Sequence, residues 1–74
     1  MKQVIDILVG QIEELVGRGY GVNVSASERE DFMKATAEIL KVIDKLCDKY
    51  DIEFPDEAID INVELDDYFG EAIL

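Results

Sequence analysis

Histidine and tryptophan are absent from this chain of 74 residues, cysteine and proline occur once each, and seven basic residues face eighteen acidic ones. Each shortage excludes something. Without histidine there is no imidazole for a zinc site or for acid–base catalysis near neutral pH. A single cysteine, Cys47, cannot form an intrachain disulfide. A net charge of −11 leaves no basic patch to neutralise phosphates. Direct nucleic-acid binding and attraction to anionic membranes are therefore both disfavoured. No apolar run approaches the roughly 20 residues that span a bilayer. The opening MKQVIDILVG has an internal Asp6 and no small-residue cleavage site of the secretory kind. These features read as a cytoplasmic protein forming one small domain over 1–74.

What is present is apolar enough to fold. Hydrophobic residues make up 49% of the chain, which argues against disorder. Val4, Ile5, Leu8, Ile12, Leu15 and Val16 recur at helical spacing and predict a helix over 2–17. The following GRGYG, Gly17 to Gly21, holds three glycines and predicts its end. It lacks the Gly-Lys-Ser/Thr ending of a phosphate-binding loop. A second stripe of Phe32, Ile39, Ile43, Leu46 and Tyr50, widened by Leu40, Val42 and Cys47, predicts a longer helix ending near 50. Ser27 and Glu30 have capping-box spacing and place its start at 28. If that pair is only a local turn, the helix starts near 36. Pro55, followed by Asp56 and Glu57, suits the first turn of a helix, where proline's fixed φ and negative charge are both favoured. This predicts a third helix over 55–60 and, from VELDDYFGEAIL, a fourth over 64–73. The expected core is Leu8, Ile12, Leu15, Phe32, Ile39, Ile43, Leu46, Tyr50, Phe54 and Ile61, with Cys47 a buried, inert thiol.

A competing pattern runs through the last third. Ile59, Ile61, Val63 and Leu65 alternate with Asp60, Asn62, Glu64 and Asp66, as do Tyr20, Val22 and Val24 with their neighbours. Alternation is the mark of a half-buried strand. The alternative fold is thus α+β, two helices with a two-stranded ribbon.

The segment KYDIEFPDEA, Lys49 to Ala58, resembles the link between the second and third helices of acyl carrier proteins. An aromatic residue, an Asp, an apolar-Glu-apolar triplet and Pro-Asp-Glu stand in that family's order. VNVSASEREDF is similar to the family's loop ahead of helix two, and VELDDYF to the start of its last helix. The likeness covers roughly residues 22–69. It implies an all-α, small four-helix bundle. It also implies a 4′-phosphopantetheine arm on the serine of an Asp-Ser-Leu motif. Here Ala35, Thr36 and Ala37 occupy those positions. Thr36 keeps a hydroxyl but crowds it with a β-branch, and both neighbours differ. The arm is therefore not expected, and no cofactor is.

Charge placement departs from the family too. From Tyr50 to Leu74 there are nine acids and no base, while residues 1–49 hold nine acids and seven bases. Such a run is ordinarily a solvated face. Read functionally, it is a surface for a basic protein partner, carried by Asp56, Glu57, Asp60, Glu64, Asp66 and Asp67. Glu64, Asp66, Asp67 and Glu71 lack the spacing of a calcium loop, and no metal site is expected. The sequence therefore predicts a non-enzymatic docking or regulatory module of carrier-like fold. The alternatives are a working carrier that uses Thr36 and an acidic DNA mimic that inhibits a nucleic-acid enzyme.

Overall fold

The computed structural model describes residues 1–74 and contains three helices and no strand: α1 (Lys2–Gly19), α2 (Ala26–Lys49) and α3 (Asp56–Phe69). α1 and α2 form an antiparallel hairpin, and α3 lies against both. Ile5, Val9 and Ile12 of α1, Met33, Leu40 and Ile43 of α2, and Ala58, Ile61 and Leu65 of α3 share one buried cluster. At 1.5 Å per residue the 24 residues of α2 run about 36 Å, and they set the 38 Å long axis of the molecule.

The hairpin is fixed at its turn by specific contacts. Ser25 accepts a hydrogen bond from the Glu28 amide at 3.2 Å, and Glu28 accepts one from the Ser25 amide at 3.4 Å. This reciprocal box is the true start of α2, two residues ahead of the Ser27–Glu30 pair suggested by the sequence. Arg29 donates from Nε to the Gly19 carbonyl at 2.7 Å, satisfying a carbonyl at the end of α1 with a cation that also suits the helix dipole. Gly19 is buried inside α1, which continues two residues past the predicted end. A Cβ at position 19 would lie 2.8 Å from the Met33 Cε, so a larger residue there would have to displace the end of that side chain.

At the other end α2 stops without a glycine. Asp51 takes the left-handed conformation (φ 53°), and the Ile52 amide donates back to the Cys47 carbonyl at 2.9 Å. This is the long-range bond of a Schellman ending, with Asp where glycine is usual. It turns Ile52 onto the core. Pro55 then caps α3 in an extended conformation, and Gly70 ends the helix at φ 71°.

The third and fourth helices of the sequence reading are one. Nothing between Asp60 and Glu64 breaks a helix, and Ala58, Ile61 and Leu65 bury one continuous face. Residues 70–74 leave helical geometry after Gly70, so the predicted helix over 64–73 ends early. The ribbon alternative is excluded, since residues 20–24 are turn and loop and 59–65 are helix. The alternation had a helical meaning. Ile61 and Leu65, four apart, face the core, while Ile59 and Val63 stand 44% and 54% exposed on the opposite side.

The core also differs in phase. Ile12, Ile43 and Ile61 are buried as expected, but Leu8, Leu15, Phe32, Ile39, Leu46 and Phe54 are only half-buried, and Tyr50 is exposed. On α2 the buried line is Met33, Leu40 and Cys47, one residue on from Phe32, Ile39 and Leu46. The buried face is thus rotated by part of a turn from the predicted one, with Ile43 common to both. Small Ala37 and hydrogen-bonded Thr36 complete it, so size and a satisfied hydroxyl decided the phase rather than summed hydrophobicity.

Candidate docking surface

Carboxylates concentrate on α3 and on the loop before it. Pro55 directs the chain into α3, which places Asp56 and Glu57 in the first turn, where backbone amides stabilise negative charge. Asp60, Glu64 and Asp67 follow on the solvent side and are exposed. Asp66 is the exception among the six predicted residues. It is half-buried and accepts a hydrogen bond from the Ile73 amide at 3.0 Å, holding the chain's last residues against the helix. Its carboxylate has a structural task.

None of the nine acids after Tyr50 is in an ion pair. The three ion pairs, Arg18–Glu14, Lys34–Glu30 and Lys41–Glu38, all lie within the hairpin. The hairpin therefore balances its own charge, and the last third does not. Among the acids of α3 stand Ile59 and Val63, one turn apart and about half exposed. Two aliphatic side chains ringed by carboxylates form a surface that an amphipathic basic segment can cover.

The acidic surface continues onto α1, which the sequence did not reveal. Asp6 of α1 joins Glu53, Asp56 and Glu57 around a shallow groove of about 390 Å³ floored by Ile52 and Phe54. Lys2 stands at its edge as the single base. An arginine or lysine could lay its stem on that floor and its cation among the carboxylates. Only folding brings Asp6 beside residues some fifty positions later in the chain.

Thr36 lies elsewhere. It sits in the third turn of α2, fully buried, and Oγ1 donates to the Phe32 carbonyl at 2.8 Å. A modified hydroxyl must reach solvent and a transferase, and this one faces the core. α2 begins ten residues before Thr36, whereas the resemblance puts the attachment site at a helix start. Cys47 is buried as expected; desolvation pushes its thiol pKa up and nearby Asp44 adds to the shift. A thiol held protonated is a poor nucleophile. No three acids, cysteines or histidines converge closely enough to hold a metal ion. No helix is long and apolar enough to cross a membrane.

Comparison with protein-family models, with curated proteins and with solved structures gives no match for this chain.

Proposed function

We propose that this protein is a small acidic docking module, carrier-like in sequence but without a phosphopantetheine arm, that binds a partner protein through a basic surface. The carrying observation is the unneutralised last third: nine acids, no base and no internal ion pair. Clustered like charge costs stability in the free protein, and a basic partner relieves that repulsion. Ile59 and Val63 supply apolar contact at the centre of the charged surface, and the carboxylates steer approach. The burial of the Thr36 hydroxyl supports a module that works by contact rather than by carrying a cargo.

A defined amphipathic peptide of lysine and leucine tests the reading by fluorescence anisotropy. Affinity should fall as salt shortens the screening length from about 10 Å at 0.1 M to about 3 Å at 1 M. Replacing Asp56, Glu57, Asp60 and Asp67 by Asn or Gln should weaken binding. The same number of changes at Glu13, Asp31, Asp44 and Asp48 should do much less. Replacing Lys34, Lys41 and Lys45 should not weaken binding at all. Equal losses from both acid sets would mean that the peptide reads net charge and no particular surface.

A further inference from the structure

The α1–α2 hairpin has two long sides, and α3 covers only one. Lys2, Ile5 and Asp6 of α1 line the groove with residues 52–57, which marks the side of α1 that faces the last third. Continuing around α1 past the Ile5–Ile12 line and away from that side come Leu8, Leu15 and Val4. In an antiparallel pair the matching flank of α2 carries Phe32, Ala35, Ile39, Val42 and Leu46. These five repeat at alternating spacings of three and four, which is the seam pattern of paired helices. Leu8, Leu15, Phe32, Ile39 and Leu46 are half-buried, while Val4 and Val42 remain 45% and 47% exposed. The structure thus leaves a second apolar face, opposite α3, with nothing on it.

We infer that this face pairs with the same face of a second copy of the chain, giving a two-fold dimer whose centre is a four-helix layer of two hairpins. Charge selects the occupant. The hairpin holds nine acids and seven bases, so two copies meet there almost neutral. Their α3 surfaces, each with nine acids and no base, are then kept on the outer sides, as far apart as two copies allow. A strongly basic partner has no comparable reason to prefer this face over α3. A seam from Phe32 to Leu46 is about 21 Å long, and two helices are about 20 Å wide. That footprint, roughly 420 Å² on each copy, falls below the size of stable complexes and in the range of weak ones, so the dimer is reversible and concentration-dependent. The inference does not rest on the proposed docking role, because salt acts on the two surfaces in opposite senses. Screening weakens binding of a basic partner at α3, but it strengthens a dimer of like-charged copies.

Sedimentation equilibrium of the intact chain, from micromolar to millimolar concentration and at low and high salt, tests the dimer. The mass should rise from 8.4 kDa toward twice that value, more readily at high salt. Val42→Lys and, separately, Val4→Lys should raise the dimer dissociation constant about tenfold or more, whereas Ile59→Lys and Val63→Lys on α3 should leave it unchanged. Circular dichroism confirms that each variant is helical. Diluting the unmodified protein gives a reading that needs no variant, since the methyl resonances of Leu8, Ile39 and Leu46 should shift while those of Ile59 and Val63 stay fixed. A single monomer mass at every concentration and salt would overturn the inference. So would a dimer that weakens with salt, or one lost through Ile59→Lys but not through Val42→Lys.

Discussion

The hairpin and the last third of the chain solve the same packing problem with opposite charge plans. Over residues 1–49, seven bases sit among nine acids, and three ion pairs at helical spacing join them along the surface. Over residues 50–74, nine acids have no base at all. Both regions bury a comparable apolar stripe, and α3 seats Ala58, Ile61 and Leu65 in the same cluster as Ile12, Leu40 and Ile43. Folding alone would be as well served by lysines on α3. On the proposed docking role, the difference concerns what meets the surface from outside. Exposed ion pairs are worth little to stability, so the hairpin's balance acts mainly by limiting repulsion, whereas the last third maintains a field.

The sharpest way to break the comparison is to ask whether α3 belongs to the same cooperative unit. Leu40→Ala in the hairpin and Leu65→Ala in α3 remove fully buried side chains. Each should cost about 2–5 kcal/mol. That is a large share of the roughly 5–15 kcal/mol that holds a domain together. Urea melts followed by circular dichroism should show one transition at a lower midpoint for both variants. A Leu65→Ala protein that keeps the hairpin's transition would make the last third an appendage.

A second test concerns Thr36. After co-expression with a phosphopantetheinyl transferase, intact mass spectrometry should show the unmodified chain mass. A gain of one phosphopantetheine that disappears in Thr36→Ala would overturn the docking reading in favour of a carrier. Thr36→Val should fold with a loss of less than about 1.5 kcal/mol, because the lost bond ran to a helix carbonyl.

Two glycines separate the regions more finely. Gly70 ends α3 at φ 71°, so Gly70→Ala should lower stability by about 1 kcal/mol. Gly10 sits inside α1 with open space around its would-be Cβ, so Gly10→Ala should raise stability by up to about 1 kcal/mol in the same melts. The smallest effect is alkaline. Folding raises the Cys47 pKa, so the buried thiol's contribution is complete below the unfolded thiol's pKa, about 8.5, and declines as pH rises through the folded value. Stability measured across that range should fall more steeply in the native protein than in Cys47→Ala.

Much was legible in residue order because it depends on near neighbours. Helical spacing identified α1 and α2, Pro55 marked the entry to α3, and the count of acids after Tyr50 located the charged third. Local signals went wrong where two local choices fitted the sequence equally well. Ser25–Glu28 and Ser27–Glu30 both have capping-box spacing, and the one that lets Arg29 reach the Gly19 carbonyl is the one formed. The alternation from Ile59 to Leu65 fits a strand and a helix alike, and burial of Ile61 and Leu65 against the hairpin chose the helix.

The phase of α2 shows where residue order stops. Composition along that helix determined that it is amphipathic and has a wide apolar arc. Whether Phe32, Ile39 and Leu46 or Met33, Leu40 and Cys47 faced inward was decided by the partners. α1 and α3 both pack against α2, and the line that meets them is Met33, Leu40 and Cys47 beside small Ala37. The same choice left the Phe32–Leu46 flank half open and put Thr36 inside. It also gathered Asp6 with Glu53, Asp56 and Glu57. The sequence by itself determined where α1 and α2 run and the charge of each region, because apolar spacing and charge are properties of short stretches. Tertiary structure alone decided which apolar residues were spent on the core and which were left exposed, because that depends on how three helices share one interior.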